Sequence, residues 1–140
     1  MNKTKIILVD DHSTFRKGLK LIIQEIPNVE VVAEASTGQQ FLDILQTQVP
    51  DLAFIDIRMQ GMSGLEAARQ ALELFPDMKI IMLSMFGEVK YYEDAFSSGA
   101  AGFLLKPPTL IQIQTAYDAV MKGETYFPSM GEVEKKSINS

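Results

Sequence analysis

Cysteine is absent from this chain of 140 residues, and histidine occurs only once, at His12. Without cysteine there is no disulfide framework, no thiolate metal site and no thiol nucleophile. A single histidine with no second histidine or cysteine does not make a zinc site. These absences leave oxygen atoms as the candidate ligands for any metal.

Long apolar runs and an excess of basic residues are also missing. The apolar runs are far shorter than the roughly 20 residues of a membrane-spanning helix, and the N-terminal MNKTK leads into a short acidic-ended strand rather than a secretion signal. Thirteen basic residues against eighteen acidic ones give a net charge of -5, which argues against binding nucleic acid through its phosphates. We expect a cytoplasmic protein without membrane contact.

Five short apolar runs alternate with segments of helical periodicity. The runs cover residues 6–9, 29–35, 52–55, 80–83 and 101–105, and the periodic segments cover 15–26, 41–45, 65–75, 89–96 and 110–120. Nearly continuous apolar runs are typical of parallel strands covered on both faces. Apolar residues at steps of three and four mark one face of a helix. The order β-α, repeated five times, predicts an α/β fold with helices on both faces of a parallel sheet.

Polar side chains follow four of the five predicted strands. They are Asp10 and Asp11 after the first strand, Asp56 after the third, Ser84 after the fourth, and Lys106 with Pro107 after the fifth. Each Asp alone is typical of an ordinary turn or helix cap, Ser84 alone is a common strand end, and Lys106 alone is a normal exposed residue. Open α/β sheets, however, gather the carboxyl ends of their strands in one crevice. Three clustered carboxylates favour a hard cation, Mg²⁺ before Zn²⁺.

Several motifs carry a family resemblance. The stretches are ILVDDH, DLAFIDIRMQGMSGLEAAR, IIMLSMF and SGAAGFLLKP, with AVMKGETYFPS after them. In order and spacing, residues 5 to about 125 resemble the receiver domain of bacterial two-component response regulators, and the chain is most similar to the NarL/LuxR (FixJ-like) group. The resemblance implies a flavodoxin-like fold, a five-stranded parallel sheet in the order 2-1-3-4-5.

The resemblance also implies a phosphorylation site. Asp56 would be the phosphoacceptor, taking a phosphoryl group from a sensor histidine kinase or a phosphotransfer protein. Asp11, Asp56 and the backbone carbonyl of Arg58 would bind Mg²⁺, and Asp10 would act through water or by orienting the site. The protein would catalyse only its own phosphorylation and slow dephosphorylation, so it would not be an enzyme in the usual sense.

Three further residues receive roles from the same resemblance. Lys106 would pair with the phosphoryl oxygens, and its bond to Pro107 would be cis. Ser84 would donate a hydrogen bond to the phosphoryl group, and Phe103 would be the aromatic switch residue. Phe103 stands where the family often has Tyr, and Pro107-Pro108 is stiffer than the usual turn.

Other functions fit the residues less well. A haloacid-dehalogenase-type phosphatase needs a second acid two residues after its nucleophile, and that position holds Arg58. A flavin- or nucleotide-binding protein needs a phosphate cradle after the first strand, where Asp10 and Asp11 would repel phosphate. A pseudo-receiver, an interaction module that has lost phosphorylation, would not need the full set of Asp11, Asp56, Ser84 and Lys106.

The sequence after residue 125 does not show how the domain produces its output. We assign residues 1–125 to the receiver and 126–140 to a tail or the start of a linker. NarL-like regulators usually continue into a helix-turn-helix domain, for which residues 124–140 are too few, so we expect the natural chain to continue and to control transcription through DNA-binding residues absent here. The alternative is a stand-alone receiver that acts by protein–protein interaction. A homodimer formed on phosphorylation suits paired DNA half-sites.

Overall fold

Strands and helices alternate along the described chain, which is residues 2–85 and 89–128 of a computed structural model. The elements are β1 (Thr4–Val9), α1 (Ser13–Ile23), β2 (Val29–Ala35), α2 (Gly38–Leu45), β3 (Leu52–Asp56), α3 (Gly64–Leu74), β4 (Lys79–Ser84), α4 (Val89–Ser97), β5 (Gly102–Leu105) and α5 (Leu110–Met121). The fold class predicted from the apolar runs is confirmed. No helix in the described ranges combines the length and the apolar character needed to cross a membrane.

The five strands form one parallel sheet in the order β2-β1-β3-β4-β5, as the resemblance implies. In the central strands the pairing register sets Val9 beside Ile55 and Ile55 beside Met82, so these strands end at nearly the same level. All five residues of β3 are buried. A strand covered on both faces has no polar side to present, and this explains its unbroken apolar run.

Alternate residues of the strands belong to two different cores. Ile7 and Val9 of β1 pack in the cluster that includes residues of α2, α3 and α4. Ile6 and Leu8 pack in the cluster that includes residues of α1 and α5. Because successive side chains of a strand point to opposite faces, one short apolar strand supports both layers of helices.

Element ends differ from the apolar patterns by a few residues. β1 begins at Thr4, two residues before the apolar run, because the Thr4 backbone N–H donates to the Asn28 carbonyl at 2.8 Å. α1 ends at Ile23, although its apolar stripe continues to Ile26, because the Ile26 N–H bonds back only three residues, to Ile23. Side-chain patterning alone does not reveal these backbone bonds.

The chain returns to the sheet after α5. Gly123 has a φ of 88°, a left-handed conformation that suits glycine and turns the chain. Tyr126 then forms an isolated parallel bridge with Gly102 of β5. The predicted division at residue 125 stays a prediction, and residues 129–140 of the predicted tail lie outside the described residues.

Candidate functional site

The predicted polar residues meet at the carboxyl end of the sheet. Asp10 directly follows β1, Asp56 ends β3 and Ser84 ends β4. The Lys106 backbone N–H donates to the Ser84 carbonyl at 2.9 Å, which extends the pairing of β4 and β5. Asp10, Asp56 and Ser84 are all buried. The parallel register therefore brings side chains from across the sequence to one edge.

An acidic cluster forms the floor of this site. One ligand atom each from Asp10, Asp11, His12 and Asp56 can be chosen so that all lie within 4.8 Å of one another. Asp11 Oδ1 is buried and has no hydrogen-bond partner in the described part of the chain. A buried carboxylate oxygen without a donor is costly unless something positive binds it. The donor set is rich in carboxylate oxygen and fits a hard cation such as Mg²⁺.

Lys106 places a positive charge against two acids of this cluster. Its Nζ lies 2.8 Å from Asp10 Oδ2 and 3.5 Å from Asp56 Oδ2. The same nitrogen lies 4.2 Å from the centre of the Phe15 ring, and the side chain is 5% exposed. The ring face attracts the ammonium group and holds it against the acids. The peptide bond between Lys106 and Pro107 is cis.

Asp56 is an unusually basic carboxylate. Burial raises its pKa from the ordinary 3.8 to about 6, and the negative charge of Asp10 acts in the same direction. The Lys106 ammonium and the backbone N–H of Arg58 oppose this rise. At neutral pH most Asp56 side chains are still ionised, so a carboxylate nucleophile is available.

The loop after β3 closes one side of the site. The exposed Arg58 side chain lines an open pocket whose other lining residues are Asp11, His12, Asp56, Met59, Gln60 and Met85. The Gln60 backbone N–H donates weakly to Asp11 Oδ2, at 3.4 Å. Met85 lies at the rim with 61% of its surface exposed. The ligand role predicted for the Arg58 carbonyl stays a prediction.

His12 has a closer relation to the acids than its sequence position suggests. The sequence predicts a solvated or capping side chain, and the ring is 57% exposed at the residue before α1 but makes no cap bond. Its Nδ1 lies 3.0 Å from Asp10 Oδ1 and 3.2 Å from Asp11 Oδ1. The feature of the sequence that could have indicated this contact is the position of His12 directly after Asp10 and Asp11.

Arg16 and Glu34 form a second layer of contacts behind the acids. The sequence pattern does not reveal this layer. The Arg16 guanidinium donates to the backbone carbonyl of Asp10 and, at 2.9 Å, to Glu34 Oε1. Lys20 Nζ lies 3.3 Å from Glu34 Oε2. Burial alone would raise the pKa of Glu34, but the hydrogen bonds from Arg16 and Lys20 outweigh it and lower that pKa. These contacts tie the loop after β1 to the edge strand β2.

Ser84 and Phe103 share one face of the sheet. The register pairs Met82 with Phe103, and both belong to the core beneath α2, α3 and α4. Ser84 is two residues beyond Met82, so strand alternation puts it on this face as well. Phe103 is fully buried, with its ring centre 5.7 Å from that of Tyr92 in an edge-on arrangement. The predicted switch ring therefore lies below the predicted phosphoryl contact.

Bacterial regulatory proteins are similar to most of this sequence. Transcriptional regulatory protein DegU from Brevibacillus brevis is 34% identical over 125 residues, which are 89% of this chain and 53% of that protein. Response regulator UvrY from Escherichia coli is 35% identical over 124 residues, 89% of this chain and 57% of that protein. The chain thus spans about half the length of these curated relatives.

A solved structure and a domain family are also similar to this chain. The signal receiver domain of the putative response regulator NarL from Mycobacterium tuberculosis superposes with a TM-score of 0.81 at 33% identity, covering 89% of this chain and 100% of that one. Residues 6–118 match the response regulator receiver domain family. The chain belongs to that family, as a receiver domain of a two-component response regulator of the NarL/LuxR group.

Proposed function

We propose that Asp56 accepts a phosphoryl group from the phosphohistidine of a sensor histidine kinase or a phosphotransfer protein. The observation that carries this proposal is the position of Asp56, a buried and ionisable carboxylate that lines an open pocket 3.5 Å from the Lys106 ammonium. An Asp56 oxygen forms the new bond to phosphorus while the donor's phosphorus–nitrogen bond breaks. The donor imidazole keeps the bonding electron pair and takes up a proton.

Asp11, Asp56 and the Arg58 carbonyl are the residues that would hold Mg²⁺. Asp11 Oδ1 supports this assignment because it is a buried oxygen that accepts no hydrogen bond from the described residues, and the His12 ring nitrogen is 3.2 Å away. Bound Mg²⁺ would supply positive charge that stabilises the transferring phosphoryl oxygens. Asp10 is bonded to Lys106 and to the His12 backbone, so it orients the site or acts through water.

Lys106 and Ser84 would bind the phosphoryl group once it is on Asp56. The ammonium group needs only a small shift between Asp10 and Asp56 to meet new oxygens, because it already contacts both carboxylates. Ser84 ends the neighbouring strand and offers a hydroxyl. Its movement inward would leave space on the face it shares with Phe103, and the ring could fill that space.

The phosphorylated domain would act through a changed surface. Relatives named as transcriptional regulators favour a role in transcription, with DNA bound by an output domain outside these 140 residues. We propose a cytoplasmic protein that forms a homodimer on phosphorylation and catalyses only its own phosphorylation and slow dephosphorylation. The alternative is a stand-alone receiver that works by protein–protein interaction, and the reading frame past Ser140 distinguishes the two.

Phosphorylation can be tested by intact mass. The chain is incubated with Mg²⁺ and acetyl phosphate, or with a phosphorylated histidine kinase, and we expect a gain of one phosphoryl group. Asp56→Asn should abolish the gain, whereas Asp77→Asn, in an exposed turn, should leave it unchanged. An unchanged mass with both donors, in a protein whose circular dichroism shows it folded, would overturn the proposal.

A further inference from the structure

Four aromatic rings run from the switch position to the surface. The Phe103 ring centre lies 5.7 Å from that of Tyr92, and Tyr92 lies 5.5 Å from Phe127. Phe127 in turn lies 5.3 Å from Phe96, whose surface is 62% exposed. All three contacts are edge-on, with interplanar angles of 70° to 80°. Edge-to-face packing is a favoured and directional arrangement, so moving one ring disturbs the next.

The backbone connects the same residues a second time. The Tyr126 N–H donates to the Ala101 carbonyl at 2.8 Å, and the Phe103 N–H donates to the Tyr126 carbonyl at 2.9 Å. Gly102 lies between these bonds, and a Cβ atom there would come within 3.3 Å of the Tyr126 oxygen. The absence of a side chain lets the segment approach β5 closely. Tyr126 therefore bonds residues 126–128, here named the clasp, to the strand of the predicted switch ring.

We propose that docking of the clasp is energetically coupled to occupancy of the Asp56 site, and that Phe127 is a positioning residue that acts on Phe103 through Tyr92. Phe103 is fully buried in a close-packed core, so a shift of its ring requires Tyr92 to move. Tyr92 also contacts Phe127 and transmits the shift to the clasp. The inference rests on the proposed phosphorylation, because Ser84 must move toward the phosphoryl group for Phe103 to respond.

The clasp joins the receiver to the sequence that follows it. Residue 129 follows Pro128 in the sequence, so a change in the docking of residues 126–128 changes the point from which the following chain starts. Coupling of this kind turns the state of Asp56 into a change at the end of the domain, 72 residues further along the chain (128 minus 56). It needs no contact between the phosphoryl group and the linker.

Amide hydrogen exchange measures clasp docking directly. Exchange at Tyr126 and Phe103 is followed by NMR in Mg²⁺ with and without beryllofluoride, a phosphoryl analogue, whose binding is checked by fluorine NMR. We expect the exchange rate of the Tyr126 amide to change by about fivefold or more, the lower end of typical coupling between sites. The amide of Lys5, which donates to the Asp51 side chain at the opposite end of the sheet, serves as internal control.

Two variants test the route through the rings. Phe127→Leu and Tyr92→Leu should each remove the response of the Tyr126 amide, and by reciprocity each should change beryllofluoride affinity by the factor lost. Phe127→Tyr keeps the ring and should restore the response. Phe75→Leu is the matched control, because Phe75 is a half-buried phenylalanine packed on the same core at the end of α3. It should leave the response intact.

The outcomes separate the two proposals. If beryllofluoride does not bind the wild-type domain, both the phosphorylation proposal and the coupling fail. If it binds and the Tyr126 amide does not respond, the coupling alone is wrong. If the Tyr126 amide still responds in Tyr92→Leu, the route through the rings is wrong. If the response is lost equally in Phe75→Leu, Phe127 stabilises the core in general and is not a positioning residue.

Discussion

Asp56, the proposed phosphoacceptor, lowers the stability of the fold when its buried side chain is ionised. The side chain is buried and shares its surroundings with Asp10 and Asp11, and burial with the Asp10 charge raises its pKa to about 6 despite Lys106. A folded-state pKa above the unfolded value means that ionising Asp56 costs stability. The penalty is absent below the unfolded pKa and complete once the pH has risen through the folded pKa.

Asp56→Asn should therefore stabilise the metal-free domain. At about pH 8 the gain in the free energy of unfolding should approach roughly 3 kcal/mol as an upper bound, and at about pH 4 it should fall below about 1 kcal/mol. Urea unfolding in a chelator at the two pH values measures the difference. A variant less stable than wild type at the higher pH would mean that the bonds of Asp56 outweigh its desolvation.

Glu34 makes the opposite contribution. Its pKa is lowered, because hydrogen bonds from Arg16 and Lys20 outweigh its partial burial. Its stabilising effect is thus present above the unfolded pKa and is lost as the pH falls through the folded pKa. Glu34→Gln should cost about 1 kcal/mol at neutral pH and less in acid, as for other partly exposed ion pairs. Urea unfolding at neutral and acid pH measures both values.

The Glu34 substitution should also weaken Mg²⁺ binding at the proposed metal site. Arg16 bonds both Glu34 and the Asp10 carbonyl, so releasing Arg16 loosens the loop that carries the acids. We expect weaker Mg²⁺ binding by calorimetry in Glu34→Gln than in Lys20→Gln, which removes an ion pair to the same carboxylate without touching Arg16. Equal Mg²⁺ affinity in both variants would show that Arg16 does not position the acids.

At the scale of elements, one glycine fixes how α3 meets β3. The α3 N-terminus is capped by Ser63, whose side chain accepts from the Glu66 N–H. A Cβ atom on the next residue, Gly64, would lie only 1.9 Å from the backbone oxygen of Asp56. The Gly64 N–H also donates to the Ile57 carbonyl at 2.8 Å. Helix and strand approach each other too closely for any side chain at this point, directly behind Asp56, the proposed phosphoacceptor.

Gly64→Ala should displace this junction. Overpacking of this kind costs about 1–3 kcal/mol, and phosphorylation of Asp56 should slow more than the loss of stability explains. Gly18→Ala is the matched control: Gly18 lies inside α1, and a Cβ atom on it would have no described atom within 4 Å outside its own helix turn. Alanine there should stabilise by about 0.5–1 kcal/mol. Thermal unfolding and acetyl phosphate labelling of both variants give the comparison.

Most of the fold, but less of the site's surroundings, is predictable from sequence. Apolar runs specify the strands because β1, β3 and β4 are covered on both faces, and the strand ends then bring Asp10, Asp56 and Lys106 together. The contact of Arg16 with Asp10 depends on how α1 lies against β2, and the return of Tyr126 to β5 depends on backbone bonds. Periodicity carries no information about either arrangement.

At the scale of the whole molecule, the readout of a receiver is a changed surface, and we expect phosphorylation to promote a symmetric dimer. The surface closest to the switch is α4 with β5, where Phe103 contacts Tyr92 and the exposed Phe96 adds apolar area. A closed dimer buries the same patch on both copies. A small change in the binding energy of one patch therefore enters the free energy of dimerisation twice. A difference of a few kcal/mol between two states is enough to reverse their populations.

Sedimentation velocity with Mg²⁺ tests this expectation, with and without beryllofluoride. The wild-type domain should shift toward dimer with the analogue, and Ser84→Ala and Lys106→Ala should weaken the shift because each removes a predicted phosphoryl contact. Ser97→Ala, at the exposed end of α4, is the control for a lost serine hydroxyl and should respond as wild type does. If the distribution stays constant up to high protein concentration while fluorine NMR shows the analogue bound, this domain does not dimerise by itself. The switch would then act on an output domain or a separate partner, and the clasp would be the first place to look for that contact.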